Sequence, residues 1–268
     1  MADARRPIHP YAAAAALLLA GAAWADDTIS TDRPDFVESS DVVGRGRFQI
    51  ETGFQSERAN IDGVKTRTRT TPTLLRVGVS DTLELRAETD GFAWGSAQDP
   101  STGATEHARG FSDWSLGAKW HMQDGDDEKG TPSIAWLLHA DLDTGSPAFR
   151  GRGVRPSLRL AAEWELPQDF SVGVMPGLVA DQTTDGRHFT SGILAVTAGK
   201  AWTPQWRTFI EIAGQQLAAR RYGGSVVTFD AGATYLVTHS VQLDVAVSRG
   251  LNDTSPDFVW GVGLSARF

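Results

Sequence analysis

Apolar and polar residues alternate along most of this chain, and the alternation has the period of a β-strand. Phe48, Ile50, Thr52 and Phe54 interleave with Gln49, Glu51, Gly53 and Gln55. The same pattern recurs in Leu83–Glu88, Trp114–His121, Ile134–Asp143, Pro156–Glu165, Phe170–Leu178, Trp206–Ile212, Val227–Val237, Val241–Val247 and Phe258–Phe268. Two further segments have a weaker phase: 66–79, which slips near Pro72 to Leu75 and suggests a bulge there, and the Gly- and Ala-rich 189–200. The pattern predicts twelve strands of about 10 to 14 residues, long enough for a tilted crossing of a bilayer. Gly91 to Gly110, rich in Gly and Ser, reads as a long loop, and the first connection also reads as an extended one. Connections after the even strands are short turns, Pro167-Gln168-Asp169 among them, except for the acidic stretch after the fourth strand; the others are mostly longer. That asymmetry matches short periplasmic turns and longer external loops.

Period alone does not say which face meets water. A soluble barrel buries its apolar face, whereas a membrane barrel turns that face to lipid. Twelve apolar faces would overfill a closed soluble core, since barrel diameter grows with strand number. Trp94, Trp120, Trp164, Trp202, Trp206 and Trp260 fall near strand ends, where interfacial belts place amphipathic rings. The polar faces mix charge signs, as facing walls of a narrow lumen can pair them. The expected fold is therefore all-β: a transmembrane antiparallel up-and-down barrel of about 12 strands. The mean hydropathy of -0.24 is too polar for a helical membrane protein but fits such a barrel.

The ends of the chain refine this expectation. Arg5 and Arg6 precede an apolar run from Tyr11 to Ala23, and Ala23-Trp24-Ala25 offers a small-residue cleavage point. This is the layout of a secretory signal peptide, with cleavage expected after Ala25. The chain then divides into 1–25, a signal peptide; 26–46, a polar leader placed in the periplasm or the lumen; and 47–268, the barrel. The last strand, FVWGVGLSARF, ends on a bare Phe and is expected to close the barrel onto residues 47–55. This ending resembles the C-terminal signal of bacterial outer-membrane barrels. It implies that Trp260, Leu264 and Phe268 act as an assembly signal, with outer-membrane lipid and the barrel assembly machinery as partners, and a bacterial outer-membrane location.

The segments TDRPDFVESSDVVGRGRFQIETGFQ, LLRVGVSDTLELRAE, SLGAKWHM and ADLDTGS together resemble the bacterial family described as "putative MetA-pathway of phenol degradation". The resemblance runs from about Thr31 to Phe268 and is most specific in the opening motif. It implies an outer-membrane barrel that takes up small, often aromatic compounds, and it assigns no binding residues.

Composition excludes several chemistries. The net charge of -8 and the lack of a basic stripe argue against a nucleic-acid partner. With no cysteine there are no disulfides, zinc–thiolate sites or thiol catalysis. No Gly-x-Ser-x-Gly elbow and no His-Glu-x-x-His spacing occurs, so neither an enzyme, nor a metal, nor a cofactor is expected. His139 and Asp141 share a strand face, which alone keeps an outer-membrane lipid hydrolase in view. A structural or interaction barrel using the 91–110 loop is the other alternative to a channel. For a channel, the candidates are Asp32, Arg33 and Asp35 in the leader and Glu51, Glu84, Arg86, Glu88, Asp113 and Lys119 on the inner wall. The solute is unidentified at this level.

Overall fold

A computed structural model describes residues 28–183 and 185–268. The expected signal peptide and its cleavage point after Ala25 lie outside the described residues. Fifteen strand segments form one antiparallel sheet that closes on itself. They reduce to a barrel of 12 strands, because three strands are each broken in two.

The first strand, β1 (Phe48–Ile61), is unbroken and pairs with both halves of the second, β2 (Val64–Thr70) and β3 (Thr73–Gly78). The break at Thr71 and Pro72 is the phase slip visible in the sequence, and Pro72 has no N–H to give the ladder. The third strand is β4 (Leu83–Thr89) and β5 (Phe92–Gln98), separated at Asp90 and Gly91. The fourth is β6 (Thr105–Phe111) and β7 (Trp114–Gln123), separated at Ser112 and Asp113. The breaks lie at one height: Thr71 donates its N–H to the Asp90 carbonyl at 3.0 Å, and Ser112 to that of Gly91 at 2.8 Å. The remaining eight strands are continuous: β8 (Ser133–Asp141), β9 (Arg155–Leu166), β10 (Phe170–Gln182), β11 (His188–Ala201), β12 (Trp206–Leu217), β13 (Val226–Thr238), β14 (Val241–Gly250) and β15 (Phe258–Arg267).

Two expectations are corrected here. Residues 91–110 are not a long loop; they hold β5 and β6, joined by a short connection at 99–104. The first connection is not extended either. β1 runs on to Ile61, and Asp62 and Gly63, at φ 51° and 82°, turn the chain in a two-residue hairpin. With β2, the upper part of β1 and these two segments rise above the breaks as a flap, whose edge strand is β6. Beyond Phe92, Trp94 and Phe111 next to the breaks, both faces of the flap's outer strands are polar or small, so no apolar repeat long enough to reveal them exists.

Closure follows the expected seam. β15 pairs with β1 from Gln49 opposite Arg267 to Arg58 opposite Phe258. Phe48 and Phe268 exchange backbone hydrogen bonds of 3.1 and 2.8 Å, and their rings stack 6.3 Å apart. Trp260 and Leu264 stand on the outward face of the same strand. The barrel is inside-out relative to a soluble one: Leu138 is 58% exposed and Ile210 54%, whereas Arg76 and Lys119 are 0% exposed. A band of bare aliphatic side chains around a charged interior is stable where the surroundings are hydrocarbon.

A leader clamped across the lumen

The leader has no strand to pair with, yet it lies inside the barrel, where each N–H and C=O needs a partner. Wall carboxylates take its amides. Glu51 on β1 accepts from the N–H groups of Asp32 and Arg33, both at 3.0 Å. Glu211 on β12 accepts from Phe36 and Val37, both at 2.8 Å. Glu163 on β9 accepts from the N–H and hydroxyl of Ser40, both at 2.6 Å, and Glu84 on β4 from the N–H of Val43 at 2.9 Å. Each is a charge-assisted bond to backbone, stronger than a neutral one. Four acids from well-separated strands thus hold a single non-repetitive segment.

Those buried anions require cations, and the wall supplies four. Arg76 on β3 donates to Glu84 at 2.8 Å and to Glu51 at 3.0 Å, and its remaining N–H groups reach the Ser30 and Asp41 carbonyls at 3.0 and 2.9 Å. Lys119 on β7 reaches Asp32 at 2.7 Å and the Ser39 carbonyl at 2.7 Å. Arg86 on β4 lies 2.9 Å from Asp32 and 2.6 Å from Glu38. Arg159 on β9 completes the pairing of Glu38 at 2.8 Å. Asp32 is the hub. Burial opposes its ionisation, but Arg76, Lys119 and Arg86 outweigh that and hold its carboxyl well below the usual range. Glu38 behaves alike: burial is overcome by Arg86, and its pKa falls to about 2. Asp35 goes the other way, since burial dominates and Arg207, 3.6 Å distant, compensates only in part, leaving a pKa of about 6.

Arg33 reaches the opposite side, where Asp244 on β14 accepts from it at 3.0 and 3.2 Å. Its guanidinium lies against Gly53 and Gly263, which face each other across the β1–β15 seam. A Cβ at Gly53 would come within 2.8 Å of that guanidinium, and one at Gly263 within 2.5 Å, so only glycine lets Arg33 lie so close to the wall.

The sequence candidates therefore divide. Asp32, Glu51, Glu84, Arg86 and Lys119 converge on one network, and Arg33 joins the leader to the seam. Asp35 lies deeper along the leader, near Arg207. Glu88 and Asp113 hold no leader amide; they line the upper wall of a cavity of about 480 Å³ between the leader and the outer loops, whose floor includes Asp32, Arg33, Asp35, Glu51 and Arg86. Glu88 is half-buried, 3.9 Å from Arg86 and 3.5 Å from Nδ1 of His139. Asp113 anchors the 142–154 loop: it accepts from the N–H groups of Gly145 and Gly151 and from Arg155, each at 2.8 Å. Phe36 of the leader and Phe149 of that loop add aromatic surface to the cavity. Glu38, Arg76, Arg159, Glu163, Glu211 and Asp244 belong to the clamp but were absent from the sequence-derived candidates. The inward alternation of β9, β12 and β14 marks four of them; Arg76 is hidden because Leu74, Leu75 and Val77 surround it next to the break. Among the described residues no cluster of His, Asp or Glu is arranged to hold a metal.

Together, the closed antiparallel sheet, the lipid-facing apolar band and the polar lumen define an outer-membrane β-barrel, and they support an outer-membrane location. The model of the family described as "Putative MetA-pathway of phenol degradation" matches residues 31–268, and the chain belongs to that family. Among solved structures, the COG4313 outer membrane channel from Pseudomonas putida F1 superposes with a TM-score of 0.62 at 14% identity, over 88% of this chain and 99% of that one. The beta domain of the Bordetella autotransporter BrkA gives 0.55 at 15%, covering 82% and 99%. The NanC porin gives 0.51 at 8%, also covering 82% of this chain and 98% of that one. None of these three is an enzyme by its description, and at such identities the likeness is one of fold. No curated protein matches the chain in sequence.

Proposed function

We propose that this protein is an outer-membrane channel for small solutes, aromatic or hydrophobic ones in particular, and that residues 28–46 form its internal plug. The observation that carries this reading is the clamp. Backbone amides spread over the leader are held by acids on four strands, and the leader floors a 480 Å³ cavity that faces the outer loops. A cavity of that size suits a single small ring compound. Phe36 and Phe149 give it apolar surface, and Glu88, Asp113 and Arg155 give it polar anchors. The family description and the superposition on a solved outer-membrane channel support the same reading.

In planar bilayers, the full protein should show low conductance, and a variant lacking residues 28–45 a much larger one. Phenol-class solutes should enter liposomes faster through the variant. Equal, negligible flux through both would refute the channel and leave a structural barrel. The export steps belong to the same proposal. The chain leaves the cytoplasm on residues 1–25, is cleaved after Ala25 and is inserted by the barrel assembly machinery. Deleting Phe268 removes one ring of the stack on Phe48 and should lower insertion without lowering export, read as protein accumulating in the periplasm.

A further inference from the structure

The outward face of the flap carries a concentration of positive charge that neither the clamp nor the channel uses. Residues paired across a sheet share a face. Arg58 lies opposite Arg67, Lys65 is two residues away on β2, and Arg69 is opposite Trp94, which in turn is opposite Arg109. The β1–β15 register fixes which face this is: Ser56, the partner of Arg69, also pairs with Trp260, and Arg58 pairs with Phe258. Trp260 stands on the lipid side, continuous with Val262 and Leu264, so the five cations project from the lipid side too: Arg69 and Arg109 flank Trp94 at the level of Trp260, and Arg58, Arg67 and Lys65 lie beyond them.

Three features separate this patch from an ordinary solvated face. Arg58, Lys65, Arg67, Arg69 and Arg109 are all exposed, and none makes an ion pair or hydrogen bond through its side chain among the described residues. The acids of these strands, Glu57 and Glu106, alternate onto the other face. Arg58 and Arg67 are directly opposed, an arrangement that is destabilising unless an anion lies between them. All this occurs in a chain whose net charge is -8. Moving outward along one face, aliphatic side chains give way to aromatic ones interleaved with cations, and then to cations and small polar residues: the profile a lipid leaflet with anionic headgroups would select.

We propose that this face binds the phosphate groups of a phosphorylated glycolipid, the lipopolysaccharide of the outer leaflet, with the aromatic row Phe92, Trp94, Phe111 and Trp260 against its acyl chains. Guanidinium forks suit phosphate oxygens, and cations on adjacent strands about 5 Å apart can share one phosphate. The site lies outside the lumen and does not depend on whether the lumen conducts.

The test uses the full folded protein in neutral detergent, titrated with bisphosphorylated lipid A, with dephosphorylated lipid A and with inorganic phosphate. The variant Arg67→Gln/Arg69→Gln/Arg109→Gln removes three patch charges. A charge-matched control, Lys129→Gln/Arg150→Gln/Arg152→Gln, removes three exposed charges elsewhere, and circular dichroism verifies that both fold. The patch variant should bind bisphosphorylated lipid A about a hundredfold more weakly than the parent. The control should match the parent, and neither dephosphorylated lipid nor millimolar phosphate should bind. Equal affinity for the dephosphorylated lipid, an equal loss in the control, or inorganic phosphate binding as tightly as lipid A would each overturn the assignment. So would a patch variant that folds and binds like the parent.

Discussion

The two sides of the lumen hold the leader by different physics. On the side built from β1, β3, β4, β7 and β9, fully buried charges grip it: Arg76, Lys119, Glu51 and Glu84 satisfy one another and the leader at distances near 3 Å. On the side built from β10 to β12, Val37 packs against Met175, Ala195 and Ala213, and Glu211 is the one wall acid holding leader amides there. The charged side sets position, because ion pairs and backbone bonds tolerate little displacement. The apolar side is non-directional and would let the segment slide. A plug built this way is registered along one wall and lubricated along the other. Breaking one side at a time should therefore have different consequences. Amide hydrogen exchange of residues 28–46 reads those consequences directly as opening free energies.

Arg76→Met should do the most damage. It leaves Glu51 and Glu84 buried without their cation and frees the Ser30 and Asp41 carbonyls. Removing one partner of a buried ion pair costs about 3–5 kcal/mol. The leader amides should exchange far faster and conductance should rise. Unchanged protection of Asp32 and Val43 would mean that the charged side does not set the position.

Asp35→Asn should act in the opposite direction. Its docked pKa of about 6 stands above the ordinary carboxyl value, so docking is favoured while the group is protonated and weakens as pH rises from about 4 to 6. Asp32 and Glu38 have depressed values, so their contribution is lost only in stronger acid. Asn cannot ionise. The variant should hold the leader more tightly at neutral pH, by on the order of 2–3 kcal/mol. Its protection should be flat between pH 4 and 6, whereas that of the parent falls. Identical pH profiles for the two would refute the assignment of that window to Asp35.

Glu211→Gln probes the one wall acid that holds leader amides on the apolar side. Gln keeps one carbonyl acceptor for the two amides of Phe36 and Val37 and loses the charge, at a cost of about 1.5–2 kcal/mol. The faster exchange should be confined to those two amides. Spread to Asp32 would show the two sides to be coupled.

What the sequence revealed depended on where each segment sits relative to lipid. Strands within the apolar band announced themselves, because one face must be greasy and the other polar; β15 and its seam with β1 could be read down to Phe268. At the outer margin of the band that constraint fades within two or three residues of the breaks. FAWGSAQ and TEHARGF look like loop for that reason, although both are paired strands. The Asp62-Gly63 hairpin did carry its turn signal, but the polar residues before it concealed that β1 continued. Asp32, Arg33 and Asp35 stood out as charges around a proline, and the inward acids stood out by phase. That these acids hold backbone rather than side chains could not be read, because the leader's path through the lumen is a tertiary property.

Val37→Ala is the mildest perturbation and the sharpest probe of the apolar side. It leaves every charge and every backbone bond in place, and removes two methyl groups from contact with Met175 and its small neighbours. Burial of that size is worth about 1–2 kcal/mol including the cavity left behind. If the apolar side only lubricates, exchange should rise modestly at Phe36 and Val37, and the amides held by Glu51 and Glu84 should be unmoved. A loss extending over the whole leader would mean that this contact positions the plug as much as the ion pairs do. Met175→Ala separates the two causes from the wall side. It removes the same contact from the opposite surface, so matching exchange patterns in the two variants would localise the effect to the packing rather than to the leader's own conformation.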